Sequence, residues 1–333
     1  MSFFAVLLAL LAEQLKPLSN LNPIHHALTG WVRWAGRNFD AGADVHARVV
    51  WAVTVAVPAV LVAITYVLLN RYSTVLALSF DVAALYMTLG FRQFSHHFTD
   101  IRDALEQGRE DKARELLAHW QNVDASDLPR TEILRHVLEY SLLAAHRHVF
   151  GVFFWFVALS SFGLGPAGAL LYRMAEFASR YWAYRSRVTG QPTHDRLMAL
   201  SQQLFALLDH VPARLTAFGF AVVGNFEDAV DAWRRHAVLW VRPNEGTILS
   251  AASGALGVRL GGQVAPASAD EGSDVSRTLT RGHSPDVIAA QGSTSTGVPP
   301  QMAHLRSVVG LIWRSVVLWM LLLALLSLAN LVG

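Results

Sequence analysis

Residues Val49 to Leu69 read VVWAVTVAVPAVLVAITYVLL, 21 positions without a charge. At 1.5 Å rise per residue, about 20 apolar residues cross the roughly 30 Å hydrocarbon core of a bilayer. This stretch is therefore a membrane-spanning helix, and Pro58 in its middle is tolerable because neighbouring helices and local backbone adjustments satisfy the carbonyl it frees. Working outward, Asn70 to Ser73 is a short polar turn, and Val75 to Phe91, apolar apart from Asp81, returns across the bilayer as a hairpin. Val149 to Tyr172 carries Phe153-Phe154-Trp155-Phe156 and reaches Gly165-Pro166, where a kink or break is expected. Leu197 to Val223 is interrupted by Asp209-His210-Val211-Pro212-Ala213-Arg214, which predicts a broken helix with polar backbone at membrane depth. Val308 to Val332 is uniformly Leu, Val and Trp apart from Arg314. Phe3 to Ala12 is too short to span and lacks the basic flank and small-residue cleavage site of a signal peptide, so it reads as a short re-entrant or interfacial helix.

The expected fold is all-α and polytopic, with about five membrane-embedded helical segments, the short N-terminal apolar helix and cytoplasmic helical loops. Composition agrees, with 53% apolar against 16% charged residues in 333. A net charge of +2 leaves no basic stripe for phosphates, so nucleic acid is excluded as a partner, and the bilayer is the expected one. The sequence also leaves room for a homo-oligomer. Without a cysteine there is no disulfide, thiolate metal site or cysteine nucleophile, and any metal must be held by oxygen or histidine nitrogen.

Three polar stretches separate the spans: residues 13–48, 92–148 and 225–306. The second holds an amphipathic helical pair broken at Gly108, a soluble-side hairpin at about 92–148. In the third, Gly262 to Pro300 has almost no large apolar residues, and disorder is expected over about 263–304 before the last helix at 305–333. The three stretches carry 19 Lys+Arg and the opposite side 6, which places the three stretches in the cytoplasm.

Ionisable residues inside spans cost roughly 2.5–3.5 kcal/mol on insertion scales and are functional candidates by default. Asp81, Asp209, Arg214 and Arg314 qualify; Arg314 reads as snorkelling to the interface, and Asp81 as either a buried pair or the lining of a cavity. The Asp209–Arg214 block could hold a metal ion together with an anionic ligand. His25-His26, His96-His97 and His146-Arg147-His148 read as surface residues near membrane edges, since adjacent histidines point to different helix faces. Ser253 to Gly262, SGALGVRLGG, could let backbone N–H groups at Gly257 and Gly261 approach a phosphate beside Arg259, although the Gly-x4-Gly-Lys-Ser/Thr loop is absent. No Gly-x-Ser-x-Gly, His-Glu-x-x-His or Asp-Phe-Gly motif occurs, so hydrolase, zincin and kinase readings find no support.

Gly165-Pro166-Ala167-Gly168-Ala169-Leu170-Leu171-Tyr172-Arg173, then Val211-Pro212-Ala213-Arg214-Leu215-Thr216, then Gly254 to Gly262 resemble, in order and spacing, the CobD/CbiB family of membrane proteins. Asp103 to Leu117 fits the same family's loop, and the resemblance covers most of residues 75–262. It implies adenosylcobinamide-phosphate synthesis: ATP-dependent amide formation between a corrinoid carboxylate and aminopropanol or its phosphate, with ATP and Mg²⁺ as cofactors. Glu139 and Asp209 would then be the catalytic carboxylates and Asp209 a metal ligand, while Tyr172, Arg173, Arg214, Arg259, Gly257 and Gly261 would bind substrate or phosphate. The chain departs from the family pattern at several polar positions. Glu139 matches its first glutamate, but Leu143, Ala144, Arg147, Glu176, Ser179, Phe205 and Ala206 stand where the family has acidic or amide side chains, and Asp209 where it has Asn. Glu13-Gln14-Leu15, Arg147 and Leu208-Asp209 also resemble the AmpE pattern, which implies the alternative of a non-catalytic membrane sensor or regulatory protein.

Overall fold

A computed structural model describes residues 2–15, 23–39, 43–89, 91–121, 125–188, 195–262, 294 and 297–332. Among them the chain is helical, without a β-strand; Val258 and Val298 make one isolated bridge. The helices are α1 (Ser2–Leu15), α2 (Pro23–Phe39), α3 (Asp44–Tyr72), α4 (Thr74–Thr88), α5 (Phe91–Glu106), α6 (Glu110–Gln121), α7 (Arg130–Ser160), α8 (Ala167–Val188), α9 (Asp195–Val223), α10 (Phe226–His236), α11 (Pro243–Leu256) and α12 (Met302–Val332). Four of these, α3, α7, α9 and α12, are long and apolar enough to cross a membrane, and α1 and α4 are shorter apolar helices. The chain is a polytopic α-helical membrane protein.

Several boundaries follow from local chemistry. Gly108, at φ +71°, ends α5 by turning the chain so that the Arg109 amide reaches back to the Ala104 carbonyl. Asn225 caps α10 by accepting from the Asp228 amide, Pro243 opens α11, and Gly257 closes it in the left-handed region at φ +65°. The break expected at Gly165-Pro166 is there: α7 stops at Ser160 and α8 starts at Ala167.

Two expectations are corrected. Val149 to Tyr172 is not one span, because α7 begins at Arg130 and takes in residues 130–148, which the sequence reading grouped with the soluble hairpin. Arg135, Glu139, His146 and Arg147 made that stretch look polar, yet all four are buried. The helical pair on the polar side is α5 and α6. Second, α9 is not broken at Pro212 but runs through it. Proline removes the N–H that would bond the Leu208 carbonyl, and the Trp155 indole N–H donates to that carbonyl instead, at 3.0 Å.

The chain divides into two compact units: residues 1–93, 146–212 and 319–333, and residues 94–145 and 213–318. In the first, α1 packs on α4, and α8 packs on α3, α4 and the end of α7. Its core joins Val32, Val50 and Val55 to Met174, Ala178, Trp182 and Leu197. Without a hydrophobic drive in lipid, helices associate through close van der Waals contact at small residues. A Cβ on Gly168 would stand 1.9 Å from the Trp155 carbonyl oxygen, and one on Gly151 2.3 Å from the Tyr172 ring. In the second unit α11 packs on α10 and on the first part of α7, and a Cβ on Gly254 would lie 2.1 Å from the Asp228 carbonyl oxygen. Most of Gly262–Pro300 lies outside the described residues. Its far end is packed in this second unit: Val298 accepts from the Arg259 amide at 2.9 Å and donates to Gly257 at 3.0 Å.

Candidate functional site

In the first unit the motif residues Tyr172 and Asp209 meet. The Tyr172 hydroxyl donates to Asp209 Oδ1 at 2.8 Å, and His146 Nε2 lies 2.7 Å from the same oxygen and 3.4 Å from the hydroxyl. His146 is 1% exposed, Tyr172 0% and Asp209 4%. A buried carboxylate is stable only where donors surround it, and a histidine and a phenol supply two. The placement depends on glycine, since only a residue without a Cβ at 151 lets the Tyr172 ring lie against α7. His146 opens a π turn, His146–Phe150, inside α7; such turns recur at functional sites because they shift the side-chain register of a helix.

Arg173 sits one residue beyond Tyr172 but bonds elsewhere, to the fully buried Glu176 at 2.8 Å, and Arg180 reaches the other oxygen of that carboxylate at 2.5 Å. The Asp81 carboxylate is buried in α4, with no hydrogen-bond partner for its Oδ1.

The second unit holds the other predicted carboxylate. Glu139 accepts from Arg135, one turn earlier on the same helix, at 3.1 and 3.3 Å, and from the Gly261 amide at 2.6 Å. Arg135 also bonds Glu132. Gly261 is at φ +88°, a backbone conformation that glycine adopts without strain. The glycine-rich loop is tied down amide by amide: Val258 donates to the Ser253 carbonyl, Arg259 to Val298, Leu260 to the Thr294 hydroxyl and Gly261 to Glu139. A phosphate at this loop would have to displace those acceptors. The Arg259 guanidinium reaches the Gly297 carbonyl at 3.4 Å, and Arg214 reaches Asn244 Oδ1 at 3.4 Å.

The predicted residues thus fall into two clusters, Tyr172 with Asp209 and Glu139 with Gly261, while Arg173, Arg214 and Arg259 bond other partners. Sequence reasoning missed His146, Arg135 and Trp155. His146, expected at the surface near a membrane edge, is buried instead. A usable signal for Arg135 was its place four residues before Glu139, the spacing of an ion pair on one helix face. The side chains of His25 and His26 lie outside the described residues, and His96 and His97 carry no ligand arrangement, His97 stacking on Trp120 at 5.6 Å.

Mg²⁺ prefers one or two carboxylates together with water and phosphate oxygens. Among the described residues no group of three or more His, Asp or Glu could hold a metal. Glu139, Asp209 and Glu176 each already face a cation or hydrogen-bond donors. The residues as arranged do not fit a Mg²⁺ site.

A polytopic helical membrane protein with buried polar clusters built on its motif residues is the class that fold and site define. Comparison gives the family: the CobD/Cbib protein family matches residues 3–277, and the chain belongs to it. Cobalamin biosynthesis protein CobD of Stutzerimonas stutzeri is 29% identical over 243 residues, covering 73% of this chain and 71% of that protein. The protein of that name from Chromobacterium violaceum is 32% identical over 181 residues, 54% of this chain and 55% of that one. The Leptospira interrogans protein is 26% identical over 201 residues, 58% and 60%. No solved structure matches. These relatives do not favour the AmpE-like alternative.

Proposed function

We propose that this protein works at the membrane in cobalamin assembly, at the step that joins a corrinoid carboxylate to aminopropanol or its phosphate through an amide, with ATP as the energy source that the family resemblance implies. The observation that carries this is the family match over residues 3–277. Support also comes from the glycine-loop amide of Gly261 on Glu139, two positions that match the family pattern, and from the motif residue Tyr172 bonding the buried Asp209. In this reading Asp209, fixed by His146 and Tyr172, presents negative charge to the amine, and Arg173 of the same unit would turn its guanidinium from Glu176 to a carboxylate or phosphate. The family resemblance implies the inner membrane, and the excess of Lys+Arg in the polar stretches supports placing those stretches in the cytoplasm.

The test is calorimetry of detergent-purified protein with adenosylcobyric acid and with Mg–ATP, followed by an assay for amide product with aminopropanol phosphate. Binding of both with product formed is the expected result. Corrinoid binding without nucleotide binding or product would overturn amide formation while keeping a corrinoid-handling role, and binding of neither would overturn the reading altogether.

A further inference from the structure

The segment between α9 and α11 belongs, by sequence, to a polar stretch outside the membrane, yet it carries an outward apolar turn. Val238, Leu239 and Val241 are 81%, 58% and 60% exposed. Trp240 between them is buried, packed so closely on Gly246 that a Cβ there would stand 2.5 Å from the Trp240 Cβ. The turn is therefore pinned by its inward tryptophan, with three large aliphatic side chains held outward. Exposed apolar clusters of this kind mark interaction sites rather than ordinary surface.

Its neighbours indicate what covers it. The second half of α9 is apolar and exposed along one stripe, Leu215, Phe218 and Val222, spaced three and four residues apart, as expected of a spanning helix facing lipid. Phe226, at the start of α10, continues that stripe by an edge-to-face contact with Phe218 at 6.3 Å. At the other end Asn244, three residues past Val241, meets Arg214, the residue before Leu215. The chain thus leaves the end of α9, folds back and sets the Val238–Val241 turn near the start of the same stripe. Charge flanks the turn: Arg234 and Arg235 lie in the last turn of α10, Arg235 paired with Asp231 at 2.8 Å, and Arg242 follows Val241, paired with Glu245 at 3.0 Å. The outer face of α10, with Glu227, Asp228 and Asp231, is polar. Aliphatic side chains pointing outward beside arginines are the arrangement of a segment seated at the boundary of acyl chains and anionic headgroups.

We infer that the α10–α11 hairpin lies at the membrane interface, with Val238, Leu239 and Val241 inserted among lipid acyl chains and Arg234, Arg235 and Arg242 at the phosphate level. This is a membrane contact additional to the spanning helices, and it does not depend on the proposed catalytic role.

The chain has no cysteine, so a single one can be introduced without removing others. Leu239→Cys and Val238→Cys, each labelled with bimane in the full chain reconstituted into vesicles containing anionic lipid, should lose most of their emission to brominated lipid and little to aqueous iodide. Asp111→Cys, on the fully exposed face of α6, should show the reverse. Iodide quenching at 238 and 239 would overturn the inference by placing the turn in water, and protection from both quenchers would overturn it by placing the turn against protein.

Discussion

The two buried polar clusters are built in opposite ways. Arg135 and Glu139 lie one turn apart on α7, so their ion pair forms as soon as that helix does, and the Gly261 amide completes it. The His146–Tyr172–Asp209 cluster draws on three helices, with residues 26 and 63 positions apart in sequence. It forms only once α7, α8 and α9 are packed, and its geometry relies on Gly151 and on Trp155 bonding the carbonyl that Pro212 frees. The first cluster is a local neutralisation of charge that lets a polar helix enter an apolar environment. The second reports on tertiary packing, and it contains Tyr172, a residue from a motif that carries the family resemblance.

The contrast predicts different responses to substitution. The largest effect is expected for Glu139→Leu, which leaves Arg135 buried without its main partner and the Gly261 amide without an acceptor; loss of one member of a buried pair costs about 3–5 kcal/mol. Adding Arg135→Met should restore much of that loss, leaving the roughly 1–3 kcal/mol of an unsatisfied amide. Denaturant titration in mixed micelles reads both variants, and a double variant no better than the single one would break the view of this cluster as charge neutralisation. Tyr172→Phe removes one hydrogen bond to a charged acceptor and should cost about 1.5–3 kcal/mol in the same assay. Gly151→Ala should cost about 1–3 kcal/mol by overpacking, and, if the second cluster depends on packing as argued, it should shift the Tyr172 ring signals in a tyrosine-labelled NMR spectrum. The smallest effect is expected for Gly257→Ala, about 1–2 kcal/mol for placing a Cβ at φ +65°, with the Tyr172 signals unchanged.

What the sequence reveals follows the same division. Uncharged runs such as Val49–Leu69 and Val308–Val332 mark their helices directly, and the structure places them inside α3 and α12. Residues 130–148 escape because a window of hydropathy scores Arg135, Glu139 and His146 as exposed charge, whereas each is neutralised by a partner outside or within the window. The break expected at Pro212 fails for the same reason, as the donor that repairs the helix is Trp155, on another element. For the site, Tyr172 and Asp209 are visible through their motifs and Glu139 through its match to the family pattern. His146 is not, because its partner lies 63 residues away and nothing local distinguishes it from an interfacial histidine.

The central claim is that the cluster on Asp209 holds the amine partner of the amide. The most direct test is calorimetric binding of aminopropanol phosphate to the purified protein and to Asp209→Asn, with thermal unfolding of both recorded alongside. The account predicts binding by the native chain and an affinity at least about tenfold weaker, roughly 1.4 kcal/mol, in a variant that remains folded. Equal binding by the two proteins, or none by the native chain, would contradict it.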